Sequence, residues 1–276
     1  MIQEHSATRP QRIQNIVLLL SLSTLLIVVF GSFREKPNTD KPAQKIKTIV
    51  LDAGHGGHDS GAVGSQSREK DLALQITLKL GKKIEREMSG VKVIYTRDDD
   101  SYPKLYERPA LANKHHADLF ISIHLNSVGR SSSRSAKGTE TFVLGFNSMV
   151  NQDVAMRENA SILLEDNYEE NYDGFDPNDP STYIVFKYLK KMYRDQSIKL
   201  ASYMQAEYAR SGRVNRGVKE LPLAVLKTAG MPAVLTEVGF ISNSEEERFM
   251  MSAQGQQEIV DNLFNAINTY RKNMER

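Results

Sequence analysis

The stretch TIVLDAGHGGHDSGAVG, residues 48–64, decides the fold class of this chain. It begins with an apolar, β-branched run that is typical of a buried strand. It then continues into glycines, which let the backbone turn sharply, and His55 stands directly after the strand. Because α/β sheets build their sites at strand ends, this stretch predicts a strand with a functional side chain at its end.

Five further apolar runs repeat the strand pattern, and helical or loop-like sequence separates each from the next. They read KVIYTRD, ADLFISIHLNS, GTETFVLG, LAVLK and PAVLTEVGF. Helical spacing is clear in EKDLALQITLKLGKKIEREM, YERPALANKHHA, residues 183–210 and the C-terminal EEERFMMSAQGQQEIVDNLFNAINTYRK. The alternation predicts a single α/β domain, a sheet of about six strands flanked by helices.

Composition narrows the function classes. The 276 residues are 40% hydrophobic and 25% charged, which is enough apolar material for one packed domain. A net charge of +2, from 36 basic and 34 acidic residues, gives no overall field for nucleic acid. Without cysteine the chain has no disulfide and no thiolate ligand, so any metal must be held by His, Asp and Glu.

The N-terminus differs from this average. Arg9 and Arg12 precede an uncharged apolar stretch at 16–33, just below the roughly 20 residues of a membrane-spanning helix. Residues 1–33 are interpreted as an export segment, with a cleaved signal peptide favoured slightly over an uncleaved anchor and a buried core helix disfavoured. Residues 34–47 then form a linker to a catalytic domain at 48–276. We expect this domain in the cell envelope, in the periplasm, with membrane contact only through the N-terminal segment.

Three predicted strand ends each present one side chain suited to metal binding or proton transfer. They are His55, His124 and Glu237, while Glu69 begins the helix after the first strand. Zinc in hydrolases typically takes three His or carboxylate ligands and keeps a fourth position for water. Two histidines and Glu69 satisfy that pattern. The apolar neighbours of Glu237 imply a raised pKa, which suits a general base.

Each of these residues also has an ordinary structural explanation. A single histidine after a strand is usually packed or hydrogen-bonded, and Glu69 alone would simply stabilise a helix N-terminus. His58 is interpreted as an exposed loop residue. His115 and His116 fall late in a helix, where they favour its C-terminus electrostatically.

A family resemblance weighs against these explanations. LDAGHGGHDSGAVG, REKDLAL, YTRDDD, ERPALANKHHADLFISIHLNS, GTETFVL and PAVLTEVGFISN together resemble the zinc-dependent N-acetylmuramoyl-L-alanine amidases, the type 3 amidases of bacterial cell-wall turnover and division. The resemblance implies a mostly parallel sheet, one zinc ion, and cleavage of peptidoglycan between the lactyl group of N-acetylmuramic acid and L-alanine. It also implies roles for individual residues: zinc ligands His55, Glu69 and His124, catalytic Glu237, and supporting residues Asn126 and Arg108. We expect a monomer.

Residues 146–182 do not fit the alternation of predicted strands and helices. Positions 165–179 hold seven acids and no basic residue, and so long a connection is more often functional or disordered than structural. Division-associated members of the resembled family carry here a helix that covers the site until a partner protein draws it away. That resemblance makes Glu158 the candidate for an autoinhibitory zinc ligand, with Glu165 and Glu169 as alternatives, and predicts an activator protein acting on this insertion. A solvated acidic loop is the competing interpretation.

Two other functions are compatible with the same residues. A zinc peptidase that cuts within the stem peptide would use the same metal machinery. A non-catalytic wall- or partner-binding protein would keep the fold without turnover, although retention of all three ligands and Glu237 argues against it.

Overall fold

The computed structural model describes residues 45–129, 134–145, 152–165 and 180–275, without the side chains of 152 and 180–192. The predicted leader at 1–33, most of the 34–47 linker and parts of the 146–182 insertion lie outside these residues. Within the described ranges, none of the helices combines the length and apolar character needed to cross a membrane.

Six strands and seven α-helices make up the described domain. The strands are β1 (Thr48–Ala53), β2 (Lys92–Tyr95), β3 (Leu119–Asn126), β4 (Thr139–Leu144), β5 (Asn215–Leu221) and β6 (Ala233–Phe240). The helices are α1 (Glu69–Glu87), α2 (Glu107–Lys114), α3 (Gln152–Asn159), α4 (Pro180–Arg210), α5 (Ala224–Lys227), α6 (Ser244–Met251) and α7 (Ala253–Met274), and a 3-10 turn (Ala160–Leu164) follows α3.

The strands form one sheet in the order β2-β1-β3-β6-β4-β5. All neighbouring strands run parallel except β4 and β6, which are antiparallel. Every residue of β3 and of β6 is buried, as expected for central strands covered on both faces. The predicted α/β fold with a mostly parallel sheet of about six strands is confirmed.

Helices cover both faces of the sheet. Helices α1, α4 and α7 pack on one face, where Ile121, Ile123 and Val234 join a large apolar core. Helices α2, α3 and α5 pack on the other face, around Phe120 and Leu235. Because side chains alternate along a strand, His124 and Glu237 lie on the same face as Phe120 and Leu235.

The prediction of a strand at LAVLK is wrong. LAVLK contains the short helix α5, whereas the strand at that edge of the sheet is the polar segment NRGVKEL, β5. A short apolar run does not distinguish a strand from one helical turn. The edge strand is half exposed and charged, which is typical of edges protected against further pairing.

Candidate metal and catalytic site

The carboxyl ends of β1, β3 and β6 bring the predicted site residues together. His124 in β3 is the direct register partner of Glu237 in β6. His55 follows β1 by two residues and adopts a positive φ of 59°, in the left-handed region that costs energy for a residue with a Cβ. Glu69, the first residue of α1, is fully buried beside them.

Three of these side chains form a compact buried cluster with Glu158 of α3. The ligand-capable atoms of His55, Glu69, His124 and Glu158 all lie within 4.8 Å of one another. Glu69 Oε1 is 3.2 Å from His55 Nε2 and 3.0 Å from His124 Nδ1. Glu158 Oε2 is 2.8 Å from His124 Nδ1 and 3.5 Å from His55 Nε2.

These distances fit a bound cation. Ligand atoms held about 2.0–2.1 Å from a tetrahedral ion lie about 3.3 Å from each other, close to the separations in the cluster. His55 Nε2 and Glu158 Oε2 are buried and have no hydrogen-bond partner among the described residues. Because buried polar atoms without hydrogen bonds are costly, the convergence of these two atoms indicates a site built to hold a metal.

Backbone amides hold Glu69 in place. Its two carboxylate oxygens accept hydrogen bonds from Leu125 N at 2.9 Å and Ala62 N at 2.8 Å. Burial would raise the pKa of Glu69, but His55 beside it and the bond to His124 lower that pKa to about 2. The carboxylate is therefore ionised and ready to face a cation.

The acids of the cluster also change both imidazoles. Burial lowers the pKa of each histidine, but the negative charge of Glu69 raises the pKa of His55 well above its usual value. Glu158 likewise raises the pKa of His124 to about 9. The electrostatic field that favours imidazolium here would equally favour a divalent cation between the same groups.

A neighbouring carboxylate orients His55. Its Nδ1 is 2.8 Å from Asp59 Oδ2, which leaves Nε2 directed at the cluster when Nδ1 carries the proton. Ser161, in the turn after α3, donates to the same oxygen of Asp59 at 2.6 Å. Gly61 packs so closely that a Cβ there would lie 2.5 Å from His55 Cδ2.

Glu237 lies beside the cluster in a desolvated position. It is fully buried, and Oε2 has no hydrogen-bond partner in the described part of the chain. Burial and the nearby negative charge of Glu158 raise the pKa of Glu237 well above its usual value. A carboxyl group whose pKa is raised by its surroundings holds a proton more readily, which suits the role of a general base.

The two predicted supporting residues lie at different distances from the chemistry. Asn126 Oδ1 accepts from Arg157 Nη2 at 3.1 Å, next to Glu237. Arg108 is buried beneath the site and donates to the carbonyl oxygen of His55 at 2.9 Å and to Asp52 at 2.8 Å. Arg108 therefore supports the backbone of His55 from below, whereas Asn126 faces the site.

The other acids and histidines that the sequence offered do not belong to the described metal cluster. Glu165 accepts from Leu105 N at 2.9 Å and stands outside the metal cluster, whereas Glu169 lies outside the described residues. His58 is exposed and packs on Tyr102, with ring centroids 4.4 Å apart. His115 and His116 are exposed after α2.

A cavity of about 1140 Å³ opens against this site. His55, Asn126, Arg157 and the loop 61–65 are among the residues that line it. Its size suits an extended substrate segment rather than a single small molecule.

Comparison with known proteins decides the family. The sequence profile described as N-acetylmuramoyl-L-alanine amidase matches residues 49–269, which is most of the chain. The chain belongs to the N-acetylmuramoyl-L-alanine amidase family. Membership confirms the predicted family and the predicted enzyme class, a hydrolase.

Named amidases match over most of this chain. It is 34% identical to the amidase AmiC of Escherichia coli O6:H1 over 243 residues, 85% of this chain and 54% of that protein. It therefore spans about half the length of that relative. It is 30% identical to the amidase AmiA of Salmonella typhimurium over 240 residues, 85% of this chain and 79% of that protein.

Solved amidases share the fold. An amidase from Clostridium difficile 630 aligns with a TM-score of 0.60 and 26% identity, over 82% of this chain and 97% of the other. The CwlD amidase from Clostridioides difficile, solved in complex with the GerS lipoprotein, aligns with a TM-score of 0.58 and 29% identity, over 81% and 98%.

Sequence reasoning missed two residues of this amidase site. Asp59 stands four positions after His55, and that spacing in HGGHD was the available signal for a carboxylate that orients the imidazole. Arg157 reaches Glu237 and Asn126 from a segment far away in sequence. Arg157 begins RENAS, residues 157–161, which resembles the family's segment, but that resemblance assigned a role only to Glu158.

Proposed function

We propose that the chain is a zinc enzyme that hydrolyses the amide between the lactyl group of N-acetylmuramic acid and L-alanine of the stem peptide. The observation that carries this proposal is the buried cluster of His55, Glu69 and His124 with Glu237 beside it. The family supports the bond, and the nitrogen and oxygen donor set supports zinc.

Zinc would be held by His55 Nε2, a carboxylate oxygen of Glu69 and His124 Nδ1. Bound zinc polarises a carbonyl and makes a water molecule nucleophilic at neutral pH. The chain holds these ligands in position before a metal binds, since Asp59 fixes the His55 ring and two backbone amides fix the Glu69 carboxylate.

Glu237 moves the protons in this mechanism. Its carboxylate accepts a proton from the attacking water, whose oxygen forms the new bond to the lactyl carbonyl carbon. The carbon–nitrogen bond then breaks, and Glu237 returns a proton to the leaving nitrogen, so that the products are a lactyl carboxylate and the free amine of L-alanine. The raised pKa of Glu237 suits both steps.

The segment 152–165 acts as a lid in this proposal. Glu158, on α3, would compete with substrate and water for the metal, because its Oε2 lies within 4.8 Å of the ligand-capable atoms of His55, Glu69 and His124. The resting enzyme is therefore closed, and an activator protein that moves the insertion at 146–182 opens it. The solved complex of CwlD with the GerS lipoprotein is a precedent for a protein partner in this family.

We further propose that the enzyme works outside the cytoplasm, in the periplasm, during wall turnover or daughter-cell separation. Its relatives AmiC and AmiA are amidases of the cell-wall substrate, and that substrate requires export. The apolar stretch at 16–33 would serve as the signal or anchor.

Two variants test the assignment of roles. Glu237→Gln should retain one zinc per chain but lose about 10²- to 10⁴-fold in hydrolysis of purified peptidoglycan, because only proton transfer is removed. His124→Ala should lose the zinc itself. Exposed His58 gives the matched control, and His58→Ala should keep both metal and activity.

Mass analysis of the products should find intact stem peptides with a free L-alanine amine. Fragments cut within the stem would instead indicate a peptidase. A fully active Glu237→Gln variant would show that the base has been misassigned.

A further inference from the structure

The guanidinium group of Arg157 occupies the catalytic site although it is neither a metal ligand nor a base. Its Nη2 lies 3.1 Å from Asn126 Oδ1 and 3.4 Å from Glu237 Oε1. Its Nη1 donates to the carbonyl of Ser127 at 2.8 Å. One nitrogen with N–H bonds therefore stands between Glu237 and the oxygen of Asn126.

The orientation of the Asn126 amide is fixed from behind. Its Nδ2 donates to Glu140 Oε2 at 3.3 Å, and this carboxylate, 1% exposed, is paired with Arg216 and with Lys219 Nζ at 3.0 Å. An ionised carboxylate only accepts hydrogen bonds. Glu140 thus holds the NH₂ end of Asn126 and leaves Oδ1 turned towards Glu237 and the cavity.

When the lid is away, Asn126 Oδ1 keeps the hydrogen bond from Ser127 N at 2.8 Å but loses the donor Arg157, which leaves its second lone pair free to accept from the substrate. The scissile amide nitrogen must come close to Glu237 to receive its proton, and this nitrogen carries one N–H. Arg157 Nη2 marks a point that meets both requirements.

We propose that Asn126 Oδ1 accepts the N–H of the scissile amide, and that Arg157 Nη2 occupies the place of the leaving nitrogen while the lid is closed. This inference rests on the proposed amidase function. With its N–H held by Asn126, the nitrogen turns its developing lone pair towards Glu237, which delivers the proton as the carbon–nitrogen bond breaks. Asn126 is thereby a catalytic residue that selects an amide over an ester.

Two small substrates test this directly: N-acetylmuramoyl-L-alanine, and its ester counterpart in which L-lactate replaces L-alanine. The ester has no N–H to donate. In the zinc-loaded full chain carrying Glu158→Gln, which removes the proposed block of the site, Asn126→Ala should lower kcat/KM for the amide about tenfold relative to its effect on the ester. Any opening of the lid by the substitution changes both substrates equally and cancels in the ratio.

The matched control is Asn113→Ala, since Asn113 bonds Thr228 and Gly230 at the far end of α2 and should leave the ratio unchanged. Equal losses on amide and ester in Asn126→Ala would overturn the inference. If a Glu158→Gln chain, in which the proposed block of the metal site is removed, cleaves neither substrate, the proposed function itself is contradicted.

Zinc content and unfolding temperature show whether Asn126→Ala has folded. If it has not, Glu140→Gln gives a second measurement, because it keeps Asn126 but removes the carboxylate that fixes its amide. The amide-to-ester ratio should then fall in the same direction, and an unchanged ratio would count against the proposal.

Discussion

The metal cluster joins two regions of different construction. His55, Glu69 and His124 belong to the sheet and α1, where backbone amides and a continuous apolar core hold them. Glu158 comes from the lid, 152–165, whose outer side exposes Met156 by 72% and Leu163 by 70%. The fixed region would have to unfold to release its ligands, whereas the lid could leave by giving up its polar contacts and the burial of Val154 and Ala155 on one face of the sheet.

Asp59 is the point at which the two regions meet. One of its oxygens accepts from His55 of the fixed region and from Ser161 of the lid, and the bond from His55 outweighs burial and holds the pKa of Asp59 well below its usual range. Lid position and metal site are therefore linked through a single carboxylate as well as through Glu158.

The largest effect should come from weakening the fixed region at Asp59. Asp59→Asn removes the charge that orients the His55 ring, and such changes typically weaken metal binding about 10- to 100-fold. Competition with a chelator measures the zinc affinity without relying on activity. Asp118→Asn is the control, because Asp118 accepts from two backbone amides at the start of β1. Unchanged affinity in Asp59→Asn would mean that the backbone alone orients His55.

A smaller effect should come from the lid, where a substitution should raise activity instead of weakening the site. Glu158→Gln keeps the size of the side chain but removes the charge that competes for the metal, so hydrolysis of purified peptidoglycan should rise about tenfold. Zinc content should stay at one per chain, because three ligands remain in the fixed region. Asp153→Asn changes an exposed acid on the same helix and should have no such effect. Reduced activity with normal zinc would exclude the blocking role of Glu158.

The same contrast explains what the sequence could predict. The strand patterns of β1, β3 and β6 and the helical face of α1 are periodic, so they indicated the sheet and the positions of the fixed residues. The edge strand β5 was missed because its residues are polar and their partners lie on other segments. Glu158 was separated from Glu165 and Glu169 only by resemblance, and its neighbour Arg157 depends on contacts that no spacing rule describes.

The smallest effect should appear at Glu247, which strengthens the fixed region without touching the lid. This carboxylate on α6 accepts from the amides of Gln66 and Ser67 and from the Ser65 hydroxyl, and so anchors the loop that leads into Glu69. Burial raises its pKa, but these hydrogen bonds outweigh burial and lower the pKa of Glu247 to about 2. The stability it contributes is therefore complete above the usual value of 4.5 and is lost as pH falls from there towards 2.

Glu247→Gln should accordingly lower the free energy of unfolding by about 1 kcal/mol at pH 7, since neutral hydrogen bonds replace charged ones. Thermal unfolding measures this as a drop of about 2–4 °C for a domain of this size. The gap between wild type and variant should close as pH falls from 5 to about 2.5, because the wild-type carboxylate then becomes protonated. Exposed Glu245 on the same helix provides the control Glu245→Gln, for which we expect no gap at either pH. A gap for Glu247→Gln that is independent of pH would show that side-chain shape, rather than charge, anchors the loop.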